Sequence, residues 1–372
     1  MTENYLNLPT YENQSRIADS LEIIAAEKDA KVTDPSNAPG PKVLVAGDRS
    51  NGFYGFVQPS EFGLIEGNPA SQKEMSGANL AIAIGLTQGV AENDNTPWMK
   101  FSRGGQIYLV PMKPIRRSLS WNSIYNQGAV YGDNTVGINP PNGRAGKFLS
   151  VEGESNSFII QPDAVDRGFL HVGATLGKVG DRIVVRGFAN AGNNGEFIIQ
   201  SITDTAITVD GNLTTEPKGR SQASIYKKGD EVVQNRKVTI GGNQYQVKLL
   251  KGGASDPLDS YADADRGLAG GDNNEWENLI MPLHEKATTK DWAYKAYVSD
   301  TVEDWGVGLT DRDLVTHHTH GNGSYSWMQD TVDTIAWTRL VRGDGGVSYG
   351  NHGRSWNVHT SYGWRPCLAL LS

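Results

Sequence analysis

The 372-residue chain has 34 basic and 42 acidic side chains, a formal net charge of −8, and 38% hydrophobic residues. This acidic balance argues against nucleic-acid binding, because contacts to phosphate need a dense Lys/Arg surface. No stretch approaches the roughly 18 apolar residues of a membrane-spanning helix. We therefore expect several folded domains, no nucleic-acid partner and no membrane insertion.

Glycine, proline and the single cysteine indicate the kind of fold. The 44 glycines and 16 prolines are typical of many turns between short strands. We therefore expect a mainly β protein with some α structure, an α+β fold. Cys367 is the single cysteine, so an intrachain disulfide is not possible. It lies in the apolar sequence WRPCLALLS. We expect this thiol to be a small buried hydrophobe rather than a nucleophile.

The N-terminal sequence predicts an amphipathic helix followed by a strap. A helix over residues 10–31 would place Ile17, Leu21 and Ile24 on one face. A stripe this narrow suits helix association near a symmetry axis, so we expect it to form the oligomerisation surface of a trimer. The sequence DPSNAPGP then ends the helix and predicts a linker or extended strap.

The next elements are short. VLVAG and GFYGFVQ are strand-like sequences on either side of the polar turn DRSN, whereas GANLAIAIGL fits a buried helix or a strand equally. KFSRGGQIYLVP predicts a hairpin around Gly104-Gly105, and SLSWNSIYNQG predicts a short helix capped by Ser120. Residues 135–235 contain short alternating strands joined by turns such as GNNG, which is typical of a small all-β domain.

The unit begun at Trp98 resumes after these strands. VTIGGNQYQVKLLKGG predicts a hairpin that turns at Gly241-Gly242. A helix is expected over 272–286, with an apolar stripe and Pro282 kinking or ending it. The predicted parts are an N-terminal helix and strap (1–41), a small attachment domain (42–97), a split domain (98–134 with 236–372) and an inserted all-β domain (135–235).

Two short motifs could bind an ion. His318 and His320 in THHTHGNG would share one face of a strand, and Asp263 and Asp265 partly match a calcium loop. Neither motif has a further ligand fixed nearby, so a solvated or interface loop is the favoured interpretation of both. We therefore expect no metal and no cofactor.

Motifs of hydrolases are missing from the sequence. It contains no G-x-S-x-G, no H-E-x-x-H and no P-loop. A pair of glycosidase carboxylates is unsupported rather than excluded, because sequence alone cannot place two carboxylates at the required separation. We therefore do not expect an enzyme.

The glycine-punctuated stretch 339–366 is the most informative candidate site. It combines rigid aromatic area with adaptable hydrogen bonding, the composition of loop-built binding sites, and aromatic faces beside Asn and His suit sugars. Trp356 and Trp364 fit core positions better, whereas the residues between them fit a binding loop or a solvated loop about equally. The candidate ligand-binding residues are Tyr349, Asn351, His352, Arg354, Trp356, Asn357, His359 and Tyr362.

Several sequence blocks occur in a recognisable order: WMKF, GGQIYLVPMKPIRRSLSWNSIYNQGAVYG, VTIGGNQYQVKLLKGG, NEWENLI, SWMQD and YGWRPCLALL. This order resembles a C-terminal domain found in structural proteins of tailed bacteriophages. That domain is similar to the C-type-lectin-like fold of formylglycine-generating enzymes and phage variable-tip adhesins. The resemblance covers about 98–133 and 236–372. The enzymes use a pair of cysteines, and this chain has only Cys367, so the resemblance argues against that activity.

The resemblance implies a non-enzymatic virion protein, assembled in the bacterial cytoplasm. It would be a tail-fibre, baseplate or collar appendage that docks on other virion proteins through its N-terminal region. Residues before the final strand, Tyr349 to Tyr362, would contact a host surface glycan or protein, or a neighbouring virion protein. Two alternatives stay open. One is a capsid decoration or head–tail protein without a receptor role; the other is a polysaccharide-degrading enzyme, which usually needs a repetitive β-helix.

Overall fold

The structure, a computed structural model, describes residues 33–145, 149–160, 168–170, 175–218, 223–258, 268–287, 298–316, 321–332 and 338–371. The chain is mainly β with some α structure, so the predicted fold class is confirmed, and the strands within these ranges form three sheets. The predicted N-terminal helix with Ile17, Leu21 and Ile24 lies outside the described residues. So do the ion-site candidates Asp263, Asp265, His318 and His320.

The first sheet consists of antiparallel strands. The hairpin predicted around Gly104-Gly105 is confirmed, and both glycines have the positive φ that the tight turn requires. Two strands from the 42–97 segment extend this sheet, so the boundary predicted at residue 97 falls inside one continuous sheet. In spatial order the strands are β1 (Ala46–Gly47), β2 (Asn51–Val57), β4 (Trp98–Arg103), β5 (Gln106–Pro111), β20 (Cys367–Leu370), β15 (Asn243–Lys248) and β14 (Lys237–Ile240).

Both faces of the first sheet are buried. Ile107 and Leu109 point to one hydrophobic core, and Tyr108 and Val110 point to the other, as strand alternation requires. The first core is covered by helix α1 (Gly77–Ile84) and helix α2 (Trp121–Tyr125). The ambiguous GANLAIAIGL sequence is thus a helix, which begins at the Ser76 cap. The predicted Ser120 cap of α2 is confirmed, since its side chain accepts the Ser123 amide.

The second core is covered by a π-helical turn (Trp276–Ile280) and a 3₁₀ turn (Met281–Leu283). The helix predicted over 272–286 is therefore shorter and less regular than expected, because Pro282 lies inside it and cannot donate a backbone hydrogen bond. Its predicted apolar stripe is nevertheless fully buried. The stripe consists of Trp276, Leu279, Ile280 and Leu283.

The second sheet carries most of the candidate site. It pairs, in spatial order, β18 (Gly350–Arg354), β17 (Thr338–Gly343), β16 (Tyr325–Val332), β19 (Tyr362–Trp364), β6 (Arg116–Arg117) and β3 (Val90–Ala91). The β16–β19 pair is parallel, and the other pairs are antiparallel. The stretch 339–366, whose composition suggested a binding site built from loops, therefore includes residues of the strands β17, β18 and β19. The strands could not be recognised from the sequence, because a strand pattern needs apolar residues at its buried positions. Here those positions include Arg339, Arg342 and Gly353.

The third sheet belongs to the 135–235 region and has a core of its own, which includes Phe158, Ile183 and Ile207. Its strands are β7 (Arg144–Ala145), β13 (Ser224–Lys227), β10 (Arg182–Arg186), β11 (Gly195–Ile202), β12 (Ala206–Val209), β9 (Ser157–Ile160) and β8 (Leu149–Glu152). The remaining short elements are α3 (Asp311–Leu314) and 3₁₀ turns at Pro59–Glu61, Ala70–Gln72 and Ala191–Asn193. Among the described residues, no helix has the length and apolar character needed to cross a membrane.

Candidate functional site

Five of the eight predicted binding residues line one pocket of about 320 Å³. Strand β18 supplies two of them, the loop after it supplies two, and the first residue of β19 supplies the fifth. The loop is fixed where it leaves β18, because the Asn357 amide donates to the Arg354 carbonyl at 2.8 Å. The lining residues are His352, Gly353, Arg354, Trp356, Asn357 and Tyr362.

Packed aromatic rings support the pocket from behind. The Tyr362 ring lies 4.5 Å from the Trp327 ring and 5.8 Å from the Tyr325 ring, measured between centroids. Trp327 is fully buried, and its indole nitrogen donates to the Leu119 carbonyl at 3.0 Å. A β-carbon at Gly353 would lie 2.6 Å from Trp327 and 2.9 Å from Tyr362. Glycine at this position therefore lets both rings lie against the strand.

Replacing Gly353 with alanine should lower the free energy of unfolding by about 1–3 kcal/mol, because the added methyl group overpacks a filled core. Urea unfolding followed by tryptophan fluorescence measures the change. Gly192→Ala is the control, since that exposed glycine meets only the Asn190 side chain at 3.3 Å. Equal stability of the two variants would contradict the close packing at Gly353.

The pocket has one cationic side chain among neutral polar groups. Burial, with a smaller contribution from the Arg354 charge, lowers the pKa of His352 to about 4. His352 is therefore a neutral imidazole near pH 7, with one donor and one acceptor nitrogen. Burial also raises the pKa of Tyr362, which keeps its phenol protonated. Arg354 is exposed and supplies the positive charge.

The other three predicted residues do not line this pocket. Tyr349 packs against the first core, and the Asn351 amide donates to the Tyr325 hydroxyl at 3.0 Å. His359 is exposed, with its ring 5.8 Å from the Tyr362 ring. These three positions therefore lie around the pocket rather than in its wall.

The two tryptophans of this stretch have different environments. Trp364 is fully buried on β19, as predicted. The expectation that Trp356 is also a core residue is wrong, because it is only partly buried and lines the pocket. The physical difference is position: β19 is covered by strands on both sides, whereas Trp356 follows the end of the edge strand β18.

Chemistry elsewhere in the described residues is limited. The predicted burial of Cys367 is confirmed, and burial raises the pKa of its thiol far above the usual value, which disfavours the reactive thiolate. Among the described residues, no group of three or more His, Cys, Asp or Glu side chains could hold a metal ion.

Two further pockets, among others in the described residues, have no marker in the sequence. One, of about 640 Å³, lies between the strap that begins at Thr33 and the β4–β5 turn. The other, of about 360 Å³, is lined by lysine and glutamine side chains. Their residues come from strands and loops far apart in the chain, so no local sequence pattern marks them.

Comparison of the chain with protein-family models, with curated proteins and with solved structures finds no match. Its function is therefore inferred from its own residues.

Proposed function

We propose that the chain is a non-enzymatic structural protein of a tailed-phage particle and that its β18–β19 pocket binds a carbohydrate on the host surface. It would form a homo-oligomer and dock on other virion proteins through its N-terminal region. The carbohydrate-binding part rests on the convergence of Trp356, Tyr362, His352, Asn357 and Arg354 on one open pocket. The phage-particle part rests on the resemblance of the sequence blocks.

The chemistry of these side chains suits a sugar. A partly exposed indole can cover the apolar C–H face of a pyranose ring. The Asn357 side chain has amide donors and a carbonyl acceptor and already makes one hydrogen bond to Tyr362, and neutral His352 has one donor and one acceptor nitrogen. The pocket wall thus contains groups suited to hydroxyls of either orientation. The Arg354 guanidinium adds N–H groups that can donate hydrogen bonds to a sugar carboxylate or to sugar hydroxyls.

An open pocket of this kind is expected to bind a single ligand weakly, so the number of pockets in the assembly determines the overall affinity. In a symmetric oligomer the same pocket occurs once per chain, and a host surface presents many copies of its glycans. Simultaneous engagement can raise the apparent affinity by a factor of about 10²–10⁴ without any new contact. The predicted homo-oligomer would therefore suit adhesion.

Replacing Trp356 with alanine should weaken glycan binding about tenfold to a hundredfold, because the stacking surface is removed. Screening the full chain on an array of host surface saccharides identifies the ligand, and equilibrium titration measures its affinity. Val358→Ala is the matched control, since that side chain is 50% exposed in the same loop and does not line the pocket. It should bind like the parent chain.

Labelling intact particles with an antibody against residues 236–372 tests the role independently. Label at the tail tip, fibres or collar supports host attachment. Label spread over the head, together with no bound saccharide, would contradict the proposal and favour a decoration role, in which the pocket contacts a neighbouring virion protein.

A further inference from the structure

A polar pocket of about 360 Å³ lies on the face of the first sheet that carries Tyr108 and Lys248. Strands β5, β15 and β20 supply its base, and Gln329 of β16 forms part of its wall. One part of this sheet face packs against the second hydrophobic core, and the part that lines the pocket carries charged and amide side chains. The pocket shares no lining residue with the β18–β19 pocket.

A buried ion pair forms one wall of this pocket. The Lys248 ammonium lies 2.6 Å from a Glu275 carboxylate oxygen and 4.5 Å from the centre of the Tyr108 ring. The other Glu275 oxygen accepts the Lys251 backbone amide at 2.9 Å. Burial alone would lower the pKa of Lys248, but the Glu275 charge raises it, so the ammonium stays charged. Both charges are thus held in fixed positions.

Two further lysines give the pocket an excess of positive charge. Lys237 is exposed and Lys251 is partly buried, and neither forms an ion pair with a carboxylate of the described residues. The lining combines three lysines with two carboxylates, those of Asp133 and Glu275. Lys251 also interacts electrostatically with Asp256 and Asp330, which lie outside the lining and whose pKa values are raised by burial. This excess stands out because the whole chain has a net charge of −8. A concave, partly buried positive site strengthens attraction to an anion.

We propose that this pocket binds a small ligand carrying a phosphate or carboxylate group. Lys251 and Lys237 would be its charged contacts, because Lys248 is already paired with Glu275. The Gln329 side chain is 3% exposed, and its amide nitrogen donates to the Leu249 carbonyl, which fixes a polar wall beside the lysines. The volume admits a small molecule rather than a folded partner.

The test is isothermal titration of the full chain with inorganic phosphate and, separately, with acetate, a carboxylate without a sugar ring, at constant ionic strength set by sodium chloride. Saturable binding of either anion supports the site, and the anion that binds identifies the acidic group. Lys251→Met should weaken that binding at least tenfold, whereas Lys251→Arg, which keeps the charge, should retain most of it. Absence of saturable binding by both anions would overturn the proposal.

Two more variants separate local from general effects. Lys228→Met is the control, since Lys228 is exposed in the third sheet region and pairs with Glu196 at 2.6 Å. It should bind both anions like the parent chain. Lys237→Met changes only a surface position and should weaken binding about threefold or more, even if Lys251→Met proves unstable. Unchanged binding by Lys237→Met and Lys251→Met would also overturn the proposal.

Discussion

Replacing Lys100 with methionine is expected to lower the free energy of unfolding by about 3–5 kcal/mol. The Lys100 ammonium lies 2.8 Å from an Asp34 carboxylate oxygen, and the exposed fractions of the two side chains are 0% and 1%. Methionine fills a similar volume but leaves the Asp34 charge buried with its main partner gone. A buried charge that has lost its partner is among the most destabilising features in proteins.

Lys100 also holds the strap to the first sheet. Its ammonium donates to the Pro39 carbonyl at 2.9 Å and to the Pro41 carbonyl at 2.8 Å. The substitution therefore leaves two acceptors without this donor as well as the carboxylate. One side chain of β4 thus joins the strap both by charge and by hydrogen bonds.

Urea unfolding at neutral pH measures the effect, and Lys42→Met provides a matched control. The Lys42 ammonium lies 3.4 Å from the same Asp34 oxygen, but its side chain is 45% exposed. Because water screens an exposed charge, this second substitution should lower stability by less than about 1 kcal/mol. Equal losses from the two variants would contradict the assignment of the buried pair to Lys100.

The Asp34 pair also predicts sensitivity to acid. Burial alone would raise the pKa of Asp34, but hydrogen bonds from Lys100 and Ser36 lower it below its usual 3.8. A carboxyl whose pKa is lowered by folding stabilises the folded state at any pH above the usual pKa of that carboxyl. That contribution is lost as the pH falls from 3.8 toward the lowered pKa.

The sequence predicts the strap but not the ion pair. DPSNAPGP indicates an extended segment because its prolines and glycine cannot continue a helix. In WMKFSR, however, Lys100 alternates with Met99 and Phe101, a pattern that predicts a solvent-facing position. Both faces of this sheet are covered in the fold, so the lysine is buried, and its partner comes from a segment far away in the sequence.

The candidate site shows a similar division between what residue type reveals and what it does not. Aromatic, amide and imidazole side chains marked the β18–β19 region because such groups are useful in binding. Their arrangement depends on strands whose buried positions hold residues that are not typical of strands. Arg342, for example, is 1% exposed, and its guanidinium donates to backbone carbonyls, among them those of Gly252 and Leu268. A buried arginine with carbonyl partners has no sequence signature that distinguishes it from a surface arginine.

Two neighbouring carboxyl groups, one buried and one partly buried, form an acidic pair that no sequence pattern marks. Asp330 on β16 is 1% exposed and accepts the Gly252 amide at 2.6 Å, and Asp256 accepts the Thr331 amide at 2.9 Å. Burial raises the pKa of Asp256 to about 6. Burial first, and then the Asp256 charge, raise the pKa of Asp330 well above its usual value. The two groups therefore titrate as a pair.

Replacing Asp330 with asparagine should stabilise the fold increasingly as the pH rises. A carboxyl whose pKa is raised by folding binds its proton more tightly in the folded state, so the parent chain loses stability as the pH rises above 3.8. Asparagine keeps the shape and an acceptor for the Gly252 amide but has no proton to lose. The stability gained over the parent chain should grow by about 1 kcal/mol per pH unit between about pH 4.5 and about pH 6.

Urea unfolding over this pH range measures the slope for the parent chain, Asp330→Asn and Asp256→Asn. The Asp256 variant should also remove part of the dependence, because burial raises its own pKa to about 6. Val358→Ala is the control, since it changes an exposed side chain that carries no titrating group, and its curve should run parallel to that of the parent chain. Parallel curves for all four proteins would mean that neither Asp330 nor Asp256 binds its proton more tightly on folding. Divergence of the Asp330 and Asp256 curves alone would locate the pH dependence in this pair, where the desolvation of two neighbouring carboxyls outweighs their hydrogen bonds.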